Sequence, residues 1–376
     1  MQTRIRRTLG VEEELLLVDA DTGAPVPAAP ATIDAAAAEA LPATSVPEMH
    51  QEMIELVGAP HRALADLGAD VAAARAGIDR AARRVGARAV ALATSPLPAV
   101  PTPSRGRRYQ KMIARYGITP LQCMTCGLHV HVSIASADEG VAVLDRIRGW
   151  LPVLRALAAN SPFSGGVDTG YDSYRFEQWN LWPSAGPAEL FLDVDAYRAS
   201  LAEMLSTGAL LDEGMLYADA RLSTRYPTVE VRVADVPLTA DTTTTLAGLV
   251  RGMVAAAADA AARGERAPRI AGNTLRVAAW DASLRGLQAE LLHPGSAVPV
   301  PLADAAAALV GFAHPGLAAH GDAATVAAGV ERILATGNGA SWQRREAAAS
   351  TLGRMVLAAA DLSASGAPVA ALSTAG

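Results

Sequence analysis

With 376 residues, 51% hydrophobic, 19% charged and a formal net charge of −6, the chain can bury a large core and carries no basic footprint for a nucleic-acid backbone. Two cysteines, Cys123 and Cys126, are too few for a disulfide framework at this length, which fits a reducing, cytoplasmic compartment. Residues 1–8 are basic without the apolar core of a signal peptide, and the alanine-rich run 254–262 is short and flanked by charge, so neither export nor a membrane span is expected.

The first element reads as a strand over residues 10–19, with Leu15, Leu16, Leu17 and Val18 as its apolar body and Glu12, Glu13 and Glu14 at its opening. Successive strand side chains point to opposite faces, so Glu12 and Glu14 share one face while Val11, Glu13 and Leu15 share the other. Two acids roughly 7 Å apart on one face repel and lose hydration on burial; they persist only beside a cation, a proton or an arginine. Asp21-Thr22-Gly23 supplies a turn and residues 24–30 a proline-broken loop. Residues 45–57 read as a second extended segment, with Met49, Gln51, Met53 and Glu55 on one face. From Leu64, apolar residues recur at Leu67, Val71, Ala74, Ile78, Ala81 and Val85, steps of three and four that predict an amphipathic helix.

Residues 88–94 are short and apolar enough for a strand, while 95–104 hold four prolines and must be a loop. Arg105, Arg107, Arg108 and Lys111 then open a short helix as a solvated basic face. Strand character returns over 118–134 around residues 127–132, residues 141–159 are helical, and 160–174 form a glycine-rich loop. A helix over 197–211 and extended segments over 215–222 and 228–236 follow. Thr239-Ala240-Asp241 has the chemistry of an N-cap for a long helix through Arg263, and beyond Asn273 helices are broken at Pro294, Pro315 and Gly337. Strand signals stop near Val236. The expected architecture is α+β in a single catalytic domain over 1–376: an antiparallel or mixed sheet over about 1–236, a helical layer over 237–362 packed on it, and a loose tail over 363–376.

The strands share a second pattern, a polar pair two residues apart against an apolar opposite face: Glu12 with Glu14, His129 with His131, Glu230 with Arg232. With Glu55 ending a fourth segment, they argue for one concave sheet face lined by carboxylates, imidazole and guanidinium. Glu and His without paired thiolates favour Mg²⁺ or Mn²⁺ over structural zinc, and Mg²⁺ held by a few carboxylates keeps positions open for phosphate oxygens. That points to a nucleotide. The chain has no G-x-x-x-x-G-K-[ST] and no strand-then-G-x-G-x-x-G, so metal rather than a glycine cradle would organise the phosphates.

Gly10-Val11-Glu12-Glu13-Glu14, Glu55 within Ile54-Glu55-Leu56-Val57-Gly58-Ala59-Pro60, residues 127–132, Asn160-Ser161-Pro162-Phe163, Asp168-Thr169-Gly170-Tyr171 and Tyr226-Pro227-Thr228-Val229-Glu230-Val231-Arg232 carry a family resemblance. In order and spacing they resemble the second type of glutamate–cysteine ligase, and within it the bacterial carboxylate-amine ligases of the weak glutamate–cysteine ligase kind, from about Leu9 to Arg263. The resemblance implies a glutamine-synthetase-like fold whose curved antiparallel sheet, with helices on its outer face, forms an active-site funnel for ATP, magnesium and small-molecule substrates. Carried over by motif, Glu12, Glu14, Glu55, His129 and Glu230 would be metal ligands and Arg232 would meet the transferring phosphate. The implied reaction activates a carboxylate, by family default the side chain of glutamate, as an acyl phosphate that cysteine or another amine attacks. A phosphoryl transition state of that kind needs positioned cations more than a protein nucleophile. Tyr171 and Arg175 are candidates for gripping a substrate carboxylate and His131 for a further substrate contact, with a surface role for Arg175 equally open. A homodimer is compatible with this reading. Two stretches depart from the family: Val57-Gly58-Ala59-Pro60, where a threonine more often precedes the proline, and Ser164-Gly165-Gly166, whose small residues would enlarge the acceptor pocket.

Rival chemistries are weaker. Cys123-x-x-Cys126-x-x-His129-x-His131 has the spacing of a zinc site, but Cys123 and Cys126 have opposite parity on an extended strand, which cannot wrap four ligands tetrahedrally. A thioredoxin-like C-x-x-C should open a helix, whereas this one leads into a strand, so buried inert thiols are expected. A two-carboxylate glycosidase leaves His129, Glu230 and Arg232 without roles. The non-enzymatic alternative is a nucleotide- and metal-binding relative that has lost activity.

Overall fold

The computed structural model describes residues 6–296 and 298–366, so the first five residues and the end of the expected tail lie outside the description. In chain order the strands are β1 (Leu9–Asp19), β2 (Ala43–Pro47), β3 (Met53–Gly58), β4 (Ala87–Val90) and β5 (Gly127–Ser133). A short ribbon, β6 (Phe163–Ser164) and β7 (Val167–Asp168), precedes β8 (Ala220–Leu222), β9 (Thr228–Asp235), β10 (Glu290–Leu292) and β11 (Pro299–Pro301). The main sheet runs β2-β3-β1-β5-β9-β8, with β4 against the far half of β1, and every pairing is antiparallel. β1 is the spine because its eleven residues are long enough to pair with β5 through Leu9–Glu13 and with β4 through Leu16–Asp19.

One face of the sheet is closed by helices. Val11, Leu128, Val130, Val132, Val229, Val231 and Val233 pack with the helices Ala137–Ile147, Leu151–Ala158 and Ala240–Ala262 in the largest apolar cluster. Thr239 caps the last of these, its hydroxyl accepting from the Thr242 amide at 3.3 Å. Small residues suit this layer, and glycine lets the helices meet most closely: a Cβ on Gly316 would lie 2.3 Å from the Gly252 carbonyl oxygen, so the helix Leu302–His320 meets Ala240–Ala262 backbone to backbone. Glu13, the acid on the helical face, is matched by Arg75 of the helix Leu64–Arg83: Nε and Nη2 donate to its two oxygens at 2.8 and 2.7 Å, and the Thr243 hydroxyl donates at 2.7 Å.

Several expectations need correction. Residues 45–57 are two strands, because Pro47 cannot extend the ladder and Glu52 turns back to accept from the Thr102 amide at 2.9 Å. The stretch 118–134 opens with a short helix, Thr119–Gln122, before β5 begins. Strands do not stop at Val236, since β10 and β11 form a hairpin across the turn holding Pro294. Pro315 does not break its helix: the neighbouring Ala313, Gly316 and Leu317 are buried against Ala240–Ala262, and that packing holds the turn together. The final helix, Leu352–Ser365, extends past the expected start of the tail. Two helices, Ala240–Ala262 and Leu302–His320, reach a mean hydropathy of 1.3 and are long enough to cross a bilayer, although no span was expected; the first is a core helix, 83% buried over that stretch.

Candidate active site

The other face of the sheet curves around a cavity of about 710 Å³. Glu12, Glu14, Glu55, His129, His131, Glu230 and Arg232 all line it. Cross-strand register assembles them: Glu14 lies opposite Glu55, Glu12 opposite His129, and His131 opposite Glu230. A register shift between Leu128 and Val130 on β5 accompanies the approach of Arg232 to His129, whose Nη1 and Nδ1 lie 3.4 Å apart.

The electrostatics divide the acids into two groups. Burial works against charge on Glu12, but His129 Nδ1 at 3.3 Å and His131 Nε2 at 3.5 Å outweigh it and hold the carboxyl well below its usual range. Glu230 is depressed too, because Arg232 contacts Oε1 and Arg221 grips both oxygens, with Nε at 2.8 Å and Nη2 at 3.3 Å. Glu55 is instead pushed well above the carboxylate range, first by burial and then by Glu48, Glu12 and Glu14. Burial and Glu14 raise Glu48 to about 7. The side of the cavity at β1, β3 and the turn after β2 is thus short of positive charge. His129 is lowered by burial and by Arg232, which favours a neutral imidazole able to act as a ligand.

Hard divalent cations fit this donor set. Glu12, His131 and Glu230 each offer one ligand atom, all within 4.8 Å of one another, and Glu12, Glu55 and His129 form a second such group. His129 Nε2 and His131 Nε2 are buried without a hydrogen-bond partner among the described residues. Neither group includes a cysteine, which corrects the zinc reading of Cys123, Cys126, His129 and His131. Both thiols are buried, and desolvation raises Cys123 to about 12 and Cys126 well above its usual value.

Two expected substrate contacts lie elsewhere. The Tyr171 hydroxyl accepts from Trp280 Nε1 at 3.2 Å and does not line the cavity. Arg175 is neither there nor on the surface: it is 4% exposed, donates to the Arg232 carbonyl at 3.4 Å, and presses on Gly127 so closely that a Cβ there would lie 2.2 Å from Nη2. The Asn160-Ser161 motif is scaffolding, since buried Asp235 accepts from the Asn160 amide at 2.8 Å and the Ser161 hydroxyl at 2.7 Å. Sequence reasoning missed Glu48, Arg221 and Arg108. Glu48 sits in the turn after Pro47, a strand-breaking signal that a parity count through the segment ignores. Arg108, expected on a solvated face, pairs with Asp212 at 3.1 Å over the cavity. Trp179, Trp182 and Tyr217 form an aromatic wall on that side.

Residues 8–356 match the model of glutamate–cysteine ligase family 2 (GCS2). A Streptomyces avermitilis protein with the provisional name glutamate–cysteine ligase 2-1 is 47% identical over 340 residues, 90% of this chain and 94% of its own. A Streptomyces coelicolor protein provisionally named glutamate–cysteine ligase 2 is 45% identical over 354 residues, 94% of this chain and 98% of its own. Among solved structures, the glutamate–cysteine ligase of Francisella tularensis in complex with AMP superposes with a TM-score of 0.69 at 15% identity, over 95% of this chain and 88% of that one. The bifunctional glutathione synthetase of Pasteurella multocida gives 0.65 at 15% identity, over 95% of this chain and 51% of that one. These two similarities establish the fold, the sheet-and-helix architecture of the carboxylate-amine ligases. The chain itself belongs to glutamate–cysteine ligase family 2 and is an enzyme of that ligase type.

Proposed function

We propose that the cavity joins a carboxylate to an amine with ATP and Mg²⁺, through an acyl phosphate, with glutamate's side chain as the donor and cysteine or another amine as the acceptor. The observation that carries this reading is the convergence of Glu12, Glu14, Glu48, Glu55, Glu230 and His129 on one cavity beside Arg232, in a chain without a phosphate-binding glycine loop. Bound Mg²⁺ would neutralise the carboxylates and the phosphate oxygens together. Glu12, Glu55, His129, His131 and Glu230 would hold it, a reading supported by the closeness of their ligand atoms, with Glu14 and Glu48 beside them. Arg232 lines the cavity with its guanidinium fixed by Glu230, which suits it to an anionic oxygen there. Arg221 keeps Glu230 in place through both oxygens while its Nη1 donates to the carbonyls of Gly214 and Leu216 at 3.1 and 2.9 Å. An enzyme that spends ATP on small molecules fits a cytoplasmic location.

The test is mass spectrometry of the products from ATP, glutamate and a panel of amines that includes cysteine, with phosphate release followed in parallel. An amide should form, with one phosphate released per amide. Product formed equally well without nucleotide, or in the presence of EDTA, refutes the reading, and nucleotide binding without any turnover would identify a relative that has lost activity.

A further inference from the structure

Among the described residues, the carboxylates lining the catalytic cavity are Glu12, Glu14, Glu48, Glu55 and Glu230, gathered at the cation end, and Asp212, which does not join them. Asp212 lies on the loop after the helix Val194–Ser206 and pairs with Arg108 of the helix Arg107–Arg115, whose Nε and Nη2 donate to its two oxygens at 3.1 Å each. The side chains are 42% and 46% exposed, so a ligand in the cavity can reach the pair. Arg108 and nearby backbone amides hold Asp212 below its usual range, and Asp212 in turn raises Arg108, so both stay charged. Gly214 keeps the approach clear: a Cβ there would lie 2.9 Å from Asp212 Oδ1 and 3.4 Å from Arg108 Nη2.

The pair is also tied to the cation end. The Tyr116 hydroxyl donates to the Ala209 carbonyl at 2.7 Å, joining helix to loop, and Arg221 donates to the Gly214 carbonyl at 3.1 Å while it grips Glu230. Arg108 and Arg232 both act on Glu48 and on Tyr217, so the two guanidiniums flank these residues. Other candidates for selecting the substrate fall away. Tyr171 and Arg175 do not line the cavity, and Ser164 and Gly165 border a separate one. Arg221 is engaged by Glu230 and two carbonyls, Arg232 is assigned above to the phosphate, and Arg225, exposed on the turn between β8 and β9, makes no ion pair among the described residues.

An α-amino acid head carries opposite charges side by side, and an accessible arginine–aspartate pair matches it charge for charge. The amine of the acceptor must reach an acyl phosphate unprotonated, so a head held at both charges belongs to the donor, whose reacting carboxylate is the distal one. We infer that Arg108 and Asp212 are specificity-determining residues that hold the α-carboxylate and the α-ammonium of the donor; this rests on the ligase reading of the cavity.

Ligand-observed NMR in saturating Mg²⁺ without nucleotide compares L-glutamate with glutarate, which lacks the ammonium, and 4-aminobutyrate, which lacks the α-carboxylate. Wild type should bind L-glutamate about tenfold more tightly than either. Arg108→Gln should weaken L-glutamate about tenfold and leave 4-aminobutyrate no weaker, whereas Asp212→Asn should weaken L-glutamate about tenfold and leave glutarate no weaker. A pair that only holds the loop predicts an equal loss for all three ligands, and that result overturns the inference. L-glutamate that fails to bind wild type, or binds both variants as well as wild type, overturns it too. Arg225→Gln weakening L-glutamate where Arg108→Gln does not moves the α-carboxylate to the β8–β9 turn and overturns it equally. Amide formation on the same preparations separates the two readings: the expected ligand pattern without any amide upholds the pair and refutes the ligase, whereas amide formed equally well from glutarate upholds the ligase and overturns the pair.

Discussion

Glu48→Gln should stabilise the metal-free protein at pH 8, although it removes a residue from the centre of the proposed site. Burial and the carboxylate of Glu14 raise the Glu48 carboxyl from 4.5 to about 7, against the lowering effects of the Met49 amide, Arg232 and Arg108. Glu55 and Tyr109 face it as well, and each is itself raised by its charge. The folded state holds this proton more tightly than the unfolded chain, so the cost of folding with Glu48 ionised is absent below pH 4.5, grows from there to about pH 7, and is complete above. At about 1.4 kcal/mol per tenfold change in proton affinity, that cost is about 3 kcal/mol at pH 8. Glutamine keeps the shape and removes the charge. Urea denaturation in EDTA should therefore show the variant more stable by about 3 kcal/mol at pH 8 and equal to wild type near pH 4.5. Mg²⁺ should narrow the gap, since wild type would gain about 2.7 kcal/mol at a hundredfold excess over Kd and the variant less. A variant less stable than wild type at pH 8 in EDTA, or an advantage that does not depend on pH, would refute the reasoning.

Arg75→Met should cost about 3–5 kcal/mol in denaturant midpoints, because it breaks a buried ion pair with Glu13 and leaves the Pro237 carbonyl without its Arg75 donor and the Leu238 carbonyl with Ser363 alone; a loss under 1 kcal/mol would mean that the buried pair contributes little net stability. Arg232→Lys should lower turnover by about tenfold or more while the Mg²⁺ concentration for half-activity stays the same, since an ammonium keeps the charge and loses the planar fork; a parallel shift in metal dependence would place Arg232 in cation binding instead. Gly127→Ala should destabilise by about 1–3 kcal/mol through its collision with Arg175, read by thermal unfolding. Cys123→Ala with Cys126→Ala should fold, contain no zinc by elemental analysis, and keep most activity, and the wild-type thiols should resist alkylation at pH 8 because both are held protonated.

Period-two alternation put Glu12 with Glu14, His129 with His131 and Glu230 with Arg232, each pair on one face of its own strand, because side-chain direction in a strand depends on the backbone alone. The long helix after Thr239 was equally legible, since its cap and its composition are local. Local pattern also separated Glu13 from its neighbours, but only the tertiary structure revealed that its counter-charge is Arg75, sixty-two positions away. Glu48 escaped the parity count because a turn resets the alternation, and where a turn ends depends on the Glu52 contact with a loop fifty residues distant. Tyr171 and Arg175 illustrate the opposite error: each has the chemistry to grip a carboxylate, but whether such a side chain faces a cavity, a tryptophan or a glycine backbone is fixed by packing between segments. The sequence therefore specified which residues could share a face. The pairing order β2-β3-β1-β5-β9-β8 decided which faces meet, because hydrogen-bonded register is a relation between distant strands that no single segment encodes.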